Sequence, residues 1–365
     1  RMTTLISARV CLQQRVFPEY RAPFFNLLAS SCLQGFSLFS GAPQSDEAIQ
    51  SASGLQNGNY QTGRNIHLLH GRLYFCVQQG LIAWLERWQP NVLIVEANPR
   101  YLSTPAAVGW MHSRSLPVIG WGLGAPSTAS LETSLRKRFY QTLDAMIAYS
   151  SAGAEQYAAC GVRPERIFVA PNAVAPKPTQ PSPVRPDHYK NGRPVLLFVG
   201  RLQERKNLHL LLHACAALPS AVQPELLIIG DGPDREGLEA LAQAIYPTAR
   251  FLGAKRGVEL EPYFNKADLF VLPGTGGLAV QEAMAHGLPV IVGQADGTQG
   301  ELVRPENGWV LANSSAEELV ALLMTALGNV KKLRLMGEAS FRIVKDEVNL
   351  QVMLDSFAKA IKSVL

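Results

Sequence analysis

The chain has 365 residues, 47% of them hydrophobic and 17% charged, and at the usual ~100 to 200 residues per domain this length argues for two cores. Its 34 basic and 29 acidic residues include no long Lys/Arg run, which argues against a surface that wraps nucleic acid. Cys11, Cys32, Cys76, Cys160 and Cys215 form no C-x-x-C pair, so neither a disulfide framework nor a zinc cluster is expected, and the chain reads as reduced and cytoplasmic.

In chain order, the first half predicts strands at 5–10 (LISARV), 36–41 (FSLFSG), 91–98 (NVLIVEAN), 117–122 (PVIGWG) and 145–150 (AMIAYS). Helices are predicted at 25–32, 73–88 and 131–144. The opening segment lacks the apolar core and small-residue cleavage site of a leader, and no stretch reaches the ~18 to 20 apolar residues of a membrane span.

From 171 to 194, seven of 24 residues are proline, which excludes a helix or a central strand and predicts an interdomain linker over 173–194. The second half then alternates short apolar strands with helices. PVLLFVG is followed by a helix at 207–217, ELLIIG by 234–245, RFLGA by 258–266, and DLFVLPG by 278–286 before PVIVG. That alternation predicts a parallel sheet covered on both faces, with its crevice at the carboxyl ends of the strands. A capping box, Ser315 to Glu318, opens a further helix, and the amphipathic segment 350–365 is expected to return to the first domain. The predicted division is 1–172, a linker, 195–345, and a closing segment 346–365. Charge divides along the same line, with 14 Lys+Arg against 9 Asp+Glu in 1–170 and 16 against 19 in 194–365.

Three segments carry chemistry. LLFVGRLQERKN places Gly200, Arg201 and Lys206 between a strand and a helix start, where a phosphate would meet backbone donors and two cations; two solvated surface charges are the plainer reading. Gly230-Asp231-Gly232-Pro233 closes the next strand and is, taken alone, turn punctuation. GTGGLAVQE brings Glu282 one turn into a helix, suited to accept from ribose hydroxyls or simply to face the helix dipole. In the first half, Tyr20 and Arg21 precede the apolar helix PFFNLL and suit either an acceptor phosphate or sugar, or a helix end with a solvated charge. LRKRFY (135–140) fits an anionic membrane surface or an ordinary solvated helix face.

Taken together, GRLQERKN, GDGP, FLGA and ADLFVLPGTGGLAVQEAMAHGLPVIV resemble the nucleotide-sugar half of the family-4 glycosyltransferases over about residues 195–292. AYSSAGAEQYAACGVRPERIFVAPNAV (148–174) is similar to that family's passage out of its first domain, and FPEYRAPFFNLL resembles an acceptor-side loop and helix of some members. The resemblance implies an α/β protein of the GT-B fold, two Rossmann-like α/β/α domains with parallel sheets facing across a cleft. It implies transfer of a hexose, most simply from a UDP-sugar donor, to a saccharide or lipid-linked acceptor in surface polysaccharide assembly, with retention of configuration. The setting would be the cytoplasm, with peripheral contact at the inner face of a membrane.

No cofactor and no metal ion are implied, because Arg201 and Lys206 would neutralise the diphosphate. Glu282 would hold the ribose. Backbone near Gly276, Gly277, Leu278 and Ala279 would meet phosphate or sugar oxygens, the base would lie against Leu252 and Gly253, and Gly200, Gly230 and Pro233 would line the same wall. Tyr20, Arg21 and His112 are acceptor-side candidates. Should the reaction invert, it needs a base, for which Glu19, His112 and Asp144 are titratable.

One departure stands out: the family's Glu-x7-Glu pattern meets Gly274 at its first position. Two alternatives therefore stay open, a sugar-nucleotide epimerase of the same architecture and a non-catalytic nucleotide-sugar-binding protein.

Overall fold

The runs VLIV, VLLF and LLII are buried at every position, as befits strands covered by helices on both faces. The computed structural model describes residues 4–45, 47, 49–69, 71, 74–125, 131–276, 278–294 and 299–365. It separates the chain into one unit that ends at Val174 and resumes at Leu350, and a second unit, Ala175–Asn349.

The first unit contains β1 (Val10–Val16), α1 (Ala22–Ser31), β2 (Phe36–Gly41), β3 (Asn59–Thr62), β4 (Arg64–Leu68), β5 (Phe75–Gln79), α2 (Leu81–Trp88), β6 (Val92–Glu96), α3 (Thr104–His112), β7 (Val118–Gly122), α4 (Leu131–Gln141), β8 (Ala145–Ala148), α5 (Ser151–Ala159) and β9 (Ile167–Val169). A parallel sheet runs β3-β2-β1-β6-β7-β8-β9, and β4 with β5 forms an antiparallel ladder beside it.

Two expectations are corrected here. The first strand is Val10–Val16 rather than 5–10, because the polar CLQQRV run is accommodated in the sheet interior. Gln13 and Gln78 hydrogen-bond each other, Gln78 Nε2 donates to Gln14 O at 3.0 Å, and Glu96 N donates to Gln13 Oε1 at 3.0 Å. The predicted helix 73–88 is a strand and then a helix, divided at Gly80, whose φ of 91° no helix accepts.

The second unit contains β10 (Val195–Val199), α6 (Leu208–Ala217), β11 (Glu225–Ile229), α7 (Arg235–Ile245), β12 (Arg250–Phe251), α8 (Glu261–Lys266), β13 (Leu269–Leu272), α9 (Leu278–Ala285), β14 (Val290–Val292), α10 (Gln299–Leu302), β15 (Gly308–Val310), α11 (Ala316–Leu327) and α12 (Val330–Asp346). Its parallel sheet runs β12-β11-β10-β13-β14-β15. The order reverses between β10 and β13, the topological switch point where such sheets bind ligands. Ser315 caps α11 by accepting from Glu318 N at 3.1 Å.

The proline-rich stretch is not a free tether. Arg185 donates to the carbonyls of Phe264 (2.8 Å) and Ala267 (3.0 Å) at the end of α8, and to those of His286 (2.8 Å) and Gly287 (3.1 Å) beyond α9. One guanidinium thus satisfies carbonyls that two helix ends leave open and fixes the stretch to the second unit.

The last helix, α13 (Leu350–Lys362), buries Leu350, Met353, Leu354, Phe357, Ala358 and Ile361 within the first unit. That spacing is one helical stripe. Phe357 meets Phe24 at 4.8 Å and Trp121 at 5.1 Å between ring centroids, and Phe25 stands edge-on to Trp121 at 6.1 Å.

Candidate functional site

At the switch point of the second unit, the loop after β10 and the loop after β13 lock together. Thr275 N donates to Arg205 O at 2.9 Å, Asn207 Nδ2 reaches Pro273 O at 3.4 Å, and Lys206 Nζ donates to Thr275 O. Lys206 ends a short 3-10 turn, and Asn207, with φ 54°, starts α6. This approach leaves no room for a side chain at Gly274, and at Gly276 the left-handed backbone disfavours one. A Cβ on Gly274 would overlap Arg205 O and the Lys206 backbone, and one on Gly276, where φ is 118°, would collide with the Lys206 ammonium. Gly274 is therefore a packing requirement, and a glutamate at that position would push the lysine loop away.

Gly230 and Gly232 play the same part on the neighbouring strand. A Cβ on Gly230 would strike Gly200 O and one on Gly232 would strike Leu202 O. Gly230 N donates to Gly253 O at 2.9 Å, which places Leu252 and Gly253 against the same wall. These glycines serve backbone-to-backbone packing, and Pro233 beside them is exposed.

Burial pushes the Lys206 ammonium pKa down to about 8, with the nearby Arg205 guanidinium adding repulsion. A lysine whose folded pKa lies below its unfolded value destabilises the fold while protonated, so stability rises with pH through that window. An anion bound beside Nζ would reverse the penalty. Glu282, half-buried in α9, has its pKa raised by desolvation and finds no hydrogen-bond partner for its carboxylate among the described residues. Leu278 and Ala279 open α9, so their N–H groups have no intrahelical acceptor. Arg201 is exposed at the end of β10, and Gly277 lies outside the described residues.

The structure thus gathers Lys206, Gly274 and Gly276 at one point, with Glu282 a turn into the adjoining helix. Arg205 and Thr275 belong to the same point, and the sequence reading passed over them. The signal available was the run of adjacent cations in ERKN, but only the folded loop shows that Arg205 O receives Thr275.

In the first unit, Tyr20 is 42% exposed, whereas Arg21 is only 3% exposed, which corrects the reading of a solvated charge. His112 closes α3 and pairs with Asp144 at 3.0 Å, and Asp144 also accepts from Val118 N at 2.8 Å at the start of β7. Both residues therefore sit at the amino ends of the strands, the edge away from the crevice, so neither is placed as a base or an acceptor contact there. Among the described residues no cluster of His, Cys, Asp or Glu could hold a metal ion, and no helix is long and apolar enough to cross a membrane.

Two parallel-sheet units of this topology, with a glycine-built crevice in the second, define the GT-B architecture. The structure of Anabaena Alr3699/HepE in complex with UDP superposes with a TM-score of 0.71 over 98% of this chain and 100% of that one, at 15% identity, a likeness of fold.

Residues 184–342, all within the second unit, match the family described as Glycosyl transferases group 1. It is 33% identical over 214 residues to a GDP-mannose-dependent alpha-mannosyltransferase of Mycolicibacterium smegmatis, covering 56% of this chain and 53% of that protein. It is also 33% identical over 154 residues to the sulfoquinovosyl transferase SQD2 of Arabidopsis thaliana, covering 40% and 29%. The chain spans about half the length of the first of these curated relatives and less of the second.

Proposed function

We propose that the protein is a glycosyltransferase that moves a hexose from a nucleoside diphosphate sugar to a hydroxyl of a saccharide or lipid-linked saccharide. The carrying observation is the half-buried Lys206 ammonium, held at Thr275 beside the start of α9 and made acidic by burial, a site whose charge is restored by a bound diphosphate. As the bond from the anomeric carbon to the phosphate oxygen breaks, the electron pair leaves with the nucleotide. Lys206 and Arg201 neutralise the growing charge where a divalent ion serves in other transferases. In the retaining course the acceptor proton passes to the departing phosphate on the same face, and the acceptor oxygen forms the new bond. Glu282 holds the ribose.

UDP-hexose is the donor proposed first. GDP-mannose is a second reading, favoured by the GDP-mannose-dependent relative that is 33% identical over 214 residues. Calorimetric titration with UDP-, GDP- and ADP-hexoses decides between them, since a ligand of the folded state raises apparent stability. Slow release of free nucleoside diphosphate from the donor that binds is expected. Epimer formation without release would favour the epimerase reading, and binding without turnover a non-catalytic role. We further propose assembly of a surface polysaccharide at the inner face of a membrane, for which the basic balance of residues 1–170 is the support.

A further inference from the structure

At the amino ends of β10 and β13, on the edge of the second sheet away from its crevice, a cavity of about 350 Å³ is lined among others by Arg185, Lys190, Lys266, Asp268 and Arg334. Both oxygens of the buried Asp268 carboxylate are already engaged. Oδ2 accepts from Val195 N at 2.8 Å, where β10 begins, and Oδ1 pairs with Arg334 Nη2 at 2.7 Å. The Arg334 side chain, on α12, is only 10% exposed. Its Nε donates to Pro186 O at 2.8 Å and its Nη2 also reaches His188 O at 3.4 Å, but Nη1 is buried with no hydrogen-bond partner among the described residues.

One carboxylate does not balance this wall. The partners of Arg185 are neutral carbonyls, and burial, followed by repulsion from Arg334, pushes its pKa down to about 10. Lys190 is exposed and makes no ion pair among the described residues. Lys266 is already met by Glu225 at 2.6 Å and adds nothing to the balance. Three cations, Arg185, Lys190 and Arg334, therefore stand against one carboxylate at this cavity. A second cavity of about 240 Å³ shares Arg185 and Arg334 but adds Asp187 and Glu338, so an anion is favoured in the first. A buried guanidinium with a free N–H edge is costly unless an acceptor meets it; its fork fits phosphate oxygens, and an ammonium adds a point charge.

We propose that this cavity is a binding site for a small soluble phosphate-bearing ligand, inorganic phosphate or a phosphate ester, held by Arg334 with Arg185 and Lys190. It lies at the opposite end of the strands from Lys206 and does not rest on the transferase reading.

The test titrates inorganic phosphate into the full chain carrying Lys206→Ala, whose crevice has lost its own buried ammonium, with sodium chloride at equal ionic strength as the control. Saturable binding in calorimetry is expected, with a rise in melting temperature that chloride does not give. Adding Arg334→Gln should weaken phosphate about tenfold or more, and Lys190→Glu, at an exposed position, about threefold or more. Asp268→Asn, which removes the competing carboxylate, should tighten it about threefold or more. With Lys206 in place, Arg334→Gln and Lys190→Glu should leave UDP affinity unchanged.

A phosphate effect no larger than that of chloride, or one that Arg334→Gln and Lys190→Glu both leave unchanged, overturns the inference. If Arg334→Gln does not fold, the other two variants decide it: weaker binding in Lys190→Glu with tighter binding in Asp268→Asn supports the site, and no change in either overturns it. Phosphatidic acid vesicles that bind the protein and are released by Lys190→Glu, with no binding of inorganic phosphate, would move the anion to a lipid headgroup and overturn the soluble assignment.

Discussion

Both units reverse strand order once, between β1 and β6 in the first and between β10 and β13 in the second, but they finish the crevice with different materials. The second brings loops together by removing side chains, at Gly230, Gly232, Gly274 and Gly276, and leaves one desolvated lysine in the gap. The first fills its crevice with side chains. Arg15 pairs with Glu47 at 2.7 Å while its backbone N–H holds Glu96, and Arg21 is packed between aromatic rings. A backbone-built crevice offers N–H groups to any phosphate, whereas a side-chain-built one encodes what a particular ligand carries.

That contrast can be broken experimentally. The largest effect expected is on the first unit's core: Phe357→Ala should cost about 3–5 kcal/mol, lowering the first transition in calorimetry while nucleotide binding by the second unit persists. A loss of both together would mean that the units are not separate cooperative bodies. Lys206→Ala comes next. Turnover should fall about 10²–10³-fold with the melting temperature held or raised, since a desolvated ammonium is gone; activity within tenfold of wild type would remove the lysine from the mechanism.

Gly274→Ala should destabilise the second unit by about 1–3 kcal/mol and weaken nucleotide binding, because the added methyl has no room beside Arg205 O. Gly54→Ala, where nothing lies within 4 Å, is the matched control in the first unit and should melt like wild type. Glu282→Gln should weaken nucleotide affinity about tenfold and slightly stabilise the free protein at neutral pH. The sign follows from its raised pKa: ionising a desolvated carboxylate opposes folding above its unfolded pKa, and the amide does not ionise. The smallest effect is in pH. Nucleotide affinity should be level below about pH 8 and decline above it as Lys206 loses its proton, and a flat profile to pH 10 would show that Nζ does not face the diphosphate.

The second crevice was largely legible before folding because its chemistry is local. Gly200 and Gly230 directly follow strands, Lys206 and Glu282 lie in the loop or helix that comes next, and turn chemistry is written in consecutive letters. The role of Gly274 was not legible. In sequence it was a missing glutamate, and only the approach of the 201–207 loop makes it a residue that must lack a side chain. The first unit misled in two ways of its own. Gln13 and Gln14 disguised a central strand as polar, and a continuous helical pattern over 73–88 concealed the break at Gly80.

Arg21 shows the limit most sharply. An arginine between tyrosine and alanine reads as solvent-facing, because arginine is usually exposed. It becomes a buried guanidinium only when β7 delivers Trp121 and β8 is followed by Tyr149, residues a hundred or more positions away.

From its order of letters alone this chain declares two α/β units, a glycine-rich crevice and a returning helix, since periodicity, turns and strand ends are properties of neighbours in sequence. The tertiary structure alone decides which charges are buried, which carboxylates are already satisfied and which glycines are obligatory. Desolvation and steric exclusion depend on atoms that meet only once the sheets have formed.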